Sequence, residues 1–419
     1  MAGRTISEKI LSEHCGRDVR AGDIAVCAVD CVVGTDGSGP MAIEYFERMG
    51  GRAVFDPARV FFSLDHYAPP DTAETKAFHD RIHRFAAATG ATVFDVGDGI
   101  SHQILLDLGI VRPGQIVVGA DSHTVTCGAI NCFAIGVGSS DLAAAMLTGR
   151  IWLRVPETIR VVLRGRVPAG VAAKDIALDL VAELGADGAN YQAIEFSGNA
   201  IAGLRLEDRL VLSNLMVEAG AKAAVFPGAV AADEDATYAR EMSRDLGTLT
   251  PRVARPHAPD NVVALSDVAG VPVQMVFIGT CTGGRVPDFH EALHAFDRAG
   301  GRIAEGVQLV LTPASRAVHD ALDADGTLQR FVSAGAVVTT TGCGACCGTS
   351  GVIPGDGMTV LSTANRNFKA RMGNATAEIY LASPAVCGAA AATGRIGGQT
   401  GVKPGSDPEP QGSDPGLTP

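Results

Sequence analysis

Short runs rich in valine and isoleucine alternate with helical patterns along nearly the whole chain, and this alternation constrains the fold more than any other feature. Val93–Val96, Gln115–Gly119, Thr158–Leu163 and Gln308–Leu311 have the length and β-branched content of buried strands. Ala172–Leu184, Leu206–Ala219 and Pro287–Ala299 carry apolar residues at helical spacing. Strand and helix in alternation predict βαβ units, and therefore mostly parallel sheets with helices on their faces. The composition suits such layers: 47% of residues are hydrophobic, only 5% are aromatic, and 51 are glycine. Small side chains let helices lie close on parallel strands. The expected fold is α/β, with several α/β/α layers.

A chain of 419 residues has room for several domains of about 150 residues each. The divisions expected are 1–155, 156–272 and 273–401, followed by a tail at 402–419. That tail is rich in Pro, Gly, Ser and Asp, and is expected to be disordered. The polar, acidic stretch Ala229–Arg255 reads as surface loop and helix.

The net charge is −12 and no run of Lys or Arg stands out, which speaks against a nucleic-acid-binding or anionic-membrane surface. No apolar stretch reaches the roughly 18 to 20 residues of a membrane span. Met1–Ile10 lacks the apolar core of a secretory signal, so a cytoplasmic protein is expected. In that compartment the 10 cysteines read as metal ligands, catalytic groups or buried thiols rather than disulfides. Cys15, Cys27, Cys31, Cys127, Cys132 and Cys387 lie among apolar or small residues and read as buried thiols.

The densest chemical signal is Gly342–Gly351, where Cys343 and Cys346 have the C-x-x-C spacing that lets two thiolates reach one metal centre. Zinc sites, iron–sulfur clusters and redox dithiols all use this spacing. A structural zinc site would need a further ligand pair, and none is visible in the sequence. A redox motif of the thioredoxin kind would lie near the start of its fold. Cys281 is a third candidate. It follows the apolar run Val273–Ile278 on the glycine-rich turn Gly279–Arg285 and precedes a helical pattern, so it is expected at a sheet's carboxyl edge near a helix N-terminus. Three thiolates on a four-iron cube would leave one iron open to substrate.

Three histidines complete the pattern: His66 in Ser63–His66, His102 in Gly99–Gln103, and His123 in Gly119–Thr124. Each lies just beyond a predicted strand, and Asp65 and Asp121 stand beside two of them. A carboxylate next to an imidazole orients it and raises its basicity, as acid–base work requires. His14, His79, His83, His257, His290, His294 and His319 read as surface or packing residues. In Ser362–Arg371, Arg366 and Arg371 with Asn365 and Asn367 could clamp carboxylates. Gly136–Asp141 lacks the full glycine fingerprint of a dinucleotide loop.

Taken together, Gly119–Gly138, Gly279–Arg285, Gly342–Gly348 and Ser362–Gly373 with Leu381–Pro384 resemble the aconitase superfamily. Trp152–Ile159 and Leu215–Lys222 follow in the same order. The nearest likeness is to the shorter, large-subunit group of the 3-isopropylmalate dehydratase and homoaconitase kind. The resemblance implies three α/β/α domains around a [4Fe–4S] cluster with one iron not bound by cysteine. It places Cys281, Cys343 and Cys346 as cluster ligands and Asp65–His66 as the pair that protonates a departing hydroxyl. His102, Asp121, Ser122 and His123 fall around substrate and the open iron. Asn214 and Glu218 fall near the iron-bound water, Asn365 near the cluster, and Arg366 and Arg371 on substrate carboxylates.

The implied reaction is dehydration or isomerisation of a 2-hydroxy di- or tricarboxylic acid. Isopropylmalate is the first candidate, and homocitrate/homoaconitate, dimethylmalate or citramalate are the alternatives. The family's swivelling fourth domain is expected on a separate small subunit, which would bring the catalytic base. An iron-responsive RNA-binding role, known in one branch of the superfamily, fits the acidic charge poorly. Two departures stand out. Gly283 replaces the usual asparagine after Cys-Thr. Cys347 adds a thiol after Cys346 and is expected to point into the core.

Overall fold

The computed structural model describes residues 3–397, so the tail expected over 402–419 lies outside the described residues. After a helix over Ile6–Cys15 the chain forms β1 (Ile24–Ala28) and then builds a parallel sheet from β2 (Cys31–Thr35), β3 (Val60–Ser63), β4 (Thr92–Phe94), β5 (Ile116–Gly119) and β6 (Phe133–Gly136). Their order is β4-β3-β2-β5-β6. β7 (Arg150–Arg154) then returns antiparallel to β1, with Val26 opposite Trp152. The burial pattern of β2, β3 and β5 is continuous, as expected for strands covered on both faces.

A second parallel sheet follows: β8 (Thr158–Arg164), β9 (Ala193–Ser197), β10 (Ala223–Val225) and β11 (Arg240–Asp245), in the order β10-β9-β8-β11. β11 corrects the loop-and-helix reading of Ala229–Arg255. It is an edge strand on which Met242 alone is buried, so its composition is that of surface although its backbone is paired. The third sheet has seven strands: β12 (Arg252–Ala254), β13 (Val262–Ala264), β14 (Met275–Gly279), β15 (Gln308–Thr312), β16 (Val337–Val338), β17 (Thr359–Ser362) and β18 (Glu378–Leu381). Their order is β13-β12-β18-β17-β14-β15-β16, all parallel except around β12. Among the described residues no helix is long and apolar enough to cross a membrane.

Strand order decides where a site can form. From β14 the chain builds outward through β15 and β16, then switches to the other side with β17 and β18. From β2 it builds through β3 and β4, then switches to β5 and β6. The connections at such a switch leave in opposite directions and open a crevice at the carboxyl ends of the strands. Cys281 follows β14, Asn365 and Arg366 follow β17, and Asp121–His123 follow β5.

The helix Ala173–Leu184 couples the second sheet to the third. Ile176, Ala177, Leu180, Val181 and Leu184 pack in the second sheet's core. Leu178 faces the other way, among Met275, Phe277 and Val360 of the third sheet. Asp175 lies in the helix's first turn, and its carboxylate accepts from Ala172 N and from Arg252 N, both at 2.8 Å. Asp179, one turn on, pairs with Arg244 and Arg252. The helix Leu206–Leu215 is shorter than its sequence pattern. It tightens into a 3₁₀ turn at Met216–Ala219 and stops at Gly220 with φ 84°.

Burial pushes the Asp175 carboxyl up to about 7, against the two backbone N–H groups that favour its charged form. The unfolded chain loses this proton near about pH 4. Between roughly pH 4 and pH 7 the folded chain therefore holds a proton that the unfolded chain has lost, and the stability tied to Asp175 falls as pH rises through that window. Asp175→Asn is expected to flatten the fall of the urea unfolding midpoint over that range. A slope equal to that of the parent chain would count against this account.

Candidate active site

The site lies where the carboxyl ends of the first and third sheets face the helix Leu206–Leu215 and its 3₁₀ extension. The turn after β14 carries Cys281, which is 4% exposed. Its Sγ receives Asn214 Nδ2 at 3.2 Å and Asn365 Nδ2 at 3.3 Å. Cys346 is buried in the short 3₁₀ turn Gly344–Cys346, with an Arg371 amino group 3.6 Å from its Sγ. Cys343 is half-buried. Its N–H donates to Asp65 O at 2.8 Å, and it packs with Cys281, Ile100 and Ala314. Burial pushes the Cys281 thiol up to about 12 and the Cys343 thiol well above its usual range. The Cys281 thiol keeps its proton unless a metal displaces it, whereas His66 beside Cys343 favours that group's charged form.

Cys347 departs from expectation. It is half-buried rather than in the core, with Sγ 2.8 Å from Thr349 Oγ1. Its turn is held by the donation of Thr349 Oγ1 to His66 O, which turns the thiol toward the loop.

His66 is the electrostatic centre of the first sheet's contribution. Its Nδ1 lies 2.7 Å from Asp65 Oδ1, and its Nε2 lies 3.4 Å from Asp121 Oδ2. Burial alone would lower its pKa, but Cys343, Asp65 and Asp121 together hold it well above the ordinary histidine value. Asp65 in turn accepts from Ser101 N through its second oxygen at 2.8 Å. His102 contrasts with His66. It is 2% exposed, neither ring nitrogen has a hydrogen-bond partner, and burial drives its pKa down to about 3, so it is neutral.

His123 links the two halves. Its Nε2 stands 3.0 Å from Glu218 Oε1 and 2.9 Å from Asn365 Nδ2, and its N–H donates to Asp121 Oδ1 at 2.6 Å. Burial would raise the Glu218 carboxyl, but His123 and Arg366 hold it below its ordinary value. Arg366 Nε contacts both Glu218 oxygens, at 2.8 and 3.0 Å, and its amino group donates to Ser122 Oγ at 3.0 Å. Arg371 leans on Cys346, and its buried Nε has no partner. The candidates named from sequence therefore come together: Asp65, His66, Asp121, Ser122, His123, Asn214, Glu218, Cys281, Cys343, Cys346, Asn365, Arg366 and Arg371 lie in linked contacts, and the His102 ring stands 6.5 Å from that of His123 without a hydrogen bond.

These residues fit an iron–sulfur cluster better than a single ion. Among the described residues, the one set of three Cys, His, Asp or Glu side chains whose ligand atoms all lie within 4.8 Å of one another is Asp65, His66 and Cys343. The sulfurs of Cys281, Cys343 and Cys346 stand farther apart than ligands of one ion would. Amide and guanidinium donors already point at Cys281 and Cys346, the hydrogen bonding that tunes cluster thiolates.

Three buried residues of the site had no role in the sequence reading. Asp36, at the end of β2, accepts from His66 N at 2.9 Å and Tyr67 N at 2.8 Å, and lies 3.0 Å from His79 Nε2. Arg285 joins the third sheet to the first through Gln103 Oε1 at 2.9 Å, and its terminal nitrogens have no partner. Lys174 reaches the turns after β14 and β17 from the second sheet's helix. The available signals were an aspartate directly after an apolar strand and a lysine among the apolar positions of a helix.

A family model described as the aconitase family (aconitate hydratase) matches residues 8–229 and 228–394. The chain is 45% identical over 415 residues to 3-isopropylmalate dehydratase large subunit 1 of Thermotoga maritima, covering 94% of this chain and 98% of that protein. It is 43% identical over 410 residues to homoaconitase large subunit of Thermus thermophilus, covering 94% and 97%. Among solved structures it is similar to the holo-form crystal structure of aconitase X from Thermococcus kodakaraensis, with 14% identity and a TM-score of 0.50 over 83% of this chain and 88% of that one. At that identity the likeness speaks for the fold alone.

Asp36→Ala would leave two backbone N–H groups and the His79 ring without their acceptor in a fully buried place. At about 1–3 kcal/mol for each stranded group, partly relieved by water, the loss is expected to be about 2–4 kcal/mol of stability. Urea unfolding measures it, and a loss under about 1 kcal/mol would show that water replaces the carboxylate.

Proposed function

The chain belongs to the aconitase family, and on that premise we propose that it is the large, catalytic subunit of an iron–sulfur hydro-lyase acting on a 2-hydroxy di- or tricarboxylic acid. Conversion of 2-isopropylmalate to 3-isopropylmalate is the leading reaction. The observation that carries the reading is His66 held between the carboxylates of Asp65 and Asp121 beside three cysteines on two hydrogen-bonded turns, Cys281 after β14 and Cys343 with Cys346 at the turn Gly344–Cys346. Homocitrate or homoaconitate is the second reading, favoured by the 43% identity to a homoaconitase large subunit, close to the 45% of the dehydratase relative. The relatives' names, large subunits all, support a separate small subunit as partner.

Cys281, Cys343 and Cys346 would hold a [4Fe–4S] cluster with one iron free of cysteine. Bound there, the cluster supplies a Lewis acid for the hydroxyl and a carboxylate of the substrate. The chain's own groups do the rest. His66, protonated between two carboxylates, donates its proton to the departing hydroxyl oxygen, and Asp65 and Asp121 stabilise the ring before and orient it after. Arg366 presents its remaining N–H groups to a substrate carboxylate while Glu218 and Ser122 hold the guanidinium in place. Arg371 supplies a second cationic contact next to Cys346. His102, neutral and without protein partners, offers one donor and one acceptor to substrate or water. Asn214 and Asn365 keep the Cys281 thiolate hydrogen-bonded. Proton removal next to the carboxylate falls to a base on the small subunit.

Two experiments test this. Cys281→Ser, Cys343→Ser and Cys346→Ser are each expected to abolish the roughly 400 nm absorbance of the anaerobically reconstituted protein, whereas Cys347→Ser leaves most of it. Loss with Cys347→Ser and retention with Cys346→Ser would overturn the ligand set. The second is turnover of isopropylmalate, homocitrate, dimethylmalate and citramalate with and without a small subunit. His66→Ala is expected to keep the cluster and lose about 100-fold or more in kcat. Full turnover by His66→Ala would remove it from the acid role.

A further inference from the structure

Lys174 is 1% exposed, yet it is a lysine on the second residue of a helix in the middle of the protein. Its Nζ has three partners: Thr282 Oγ1 at 3.0 Å, Thr363 O at 3.0 Å and Ala364 O at 2.5 Å. An ammonium has three N–H groups, and all three are used. Every partner adjoins a site residue. Thr282 follows Cys281, and Thr363 and Ala364 precede Asn365 and Arg366. Among the described residues no carboxylate lies within ion-pair distance of it, since it takes part in none of the salt bridges. A buried charge with no direct ion pair is costly, Asp288 acting on it only from beyond ion-pair distance, and packing does not require it: Leu178, one turn along the same face, fills its place with hydrocarbon.

We propose that Lys174 is a positioning residue for the metal centre: it clamps the turn of Cys281 to the turn of Asn365 and Arg366, and its ammonium is the buried counter-charge to the thiolates that hold the cluster. This rests on the cluster reading above. The clamp is reinforced locally. Thr282 Oγ1 itself donates to Thr363 O at 2.8 Å, and Thr363 Oγ1 bonds Gly279 N at 2.9 Å and Gly279 O at 3.0 Å. With the carbonyls of Thr363 and Ala364 drawn toward Lys174, the side chain of Asn365 is left on the opposite side of the turn, where it meets Cys281 and His123. One cation on the second sheet's helix thus bridges two turns that the third sheet already brings side by side.

The test is Lys174→Met, which keeps the unbranched apolar stem and removes both charge and donors. Three quantities are measured: cluster half-life under anaerobic chelation, the cluster's midpoint potential, and the urea midpoint of the cluster-free chain. Expected are a half-life about tenfold shorter, as for other residues that orient metal ligands, and a potential shifted to more negative values. A nearby positive charge favours the added electron, so its removal disfavours reduction. The cluster-free urea midpoint should change little, because loss of the buried charge offsets the acceptors left without Lys174. A half-life and potential equal to those of the parent overturn the proposal, and so does a fall in the urea midpoint large enough to account for the lost cluster. Should Lys174→Met not fold, Thr282→Val decides: it keeps the ammonium and cuts one bond, and is expected to shorten the half-life a few-fold, with no change counting against the clamp. A parent chain that takes up no cluster would instead sink the family reading.

Discussion

The turns that follow β14 and β17 lie so close that no side chain fits between them, and the rest of the site depends on that contact. A Cβ placed on Gly283 would stand 2.2 Å from Thr363 Cβ, well inside any tolerated distance. Glycine at 283 is therefore a consequence of how the turns meet. Because the turns touch, Asn365 reaches Cys281 and His123 together, and Arg366 reaches Glu218 across the crevice. β17 and β14 are hydrogen-bonded neighbours at the point where the strand order reverses, so the contact is set by the sheet itself.

Around that contact the protein separates its titratable groups by environment. His66 and His102 follow neighbouring strands of one sheet and are both enclosed, yet they sit on opposite sides of the ordinary histidine value. Three carboxylates face His66 within 3.7 Å, while His102 has orphan nitrogens and cationic neighbours. One ring favours its charged form and the other is a neutral hydrogen-bonding surface.

Much of the architecture was legible because parallel strands buried on both faces leave an unmistakable apolar run, and the helices between them keep their period. β11 escaped because an edge strand with a single buried residue has the composition of a loop. Its strand character comes from pairing with β8, which is not a local property. The site candidates were legible for a related reason. Cysteine, histidine and aspartate directly after apolar strands point to carboxyl-end crevices, and each of those named comes to the same place. Cys347 was misplaced because sequence does not say which way a turn carries its side chains.

By itself, the sequence determined the α/β class, the strands that end at the site and the residue types gathered there, since these follow from apolar period and from side-chain chemistry carried residue by residue. The tertiary structure alone decided the strand order, the contact of the Cys281 and Arg366 turns, and the parts played by Asp36, Arg285 and Lys174. Those residues act across sheets, through hydrogen bonds whose partners lie far away in the chain; Lys174 and Thr363, for example, are 189 positions apart. No local pattern encodes such pairs, because the free energy that selects them is the cost of leaving buried polar groups unpaired, and that cost exists only once the chain has folded around them.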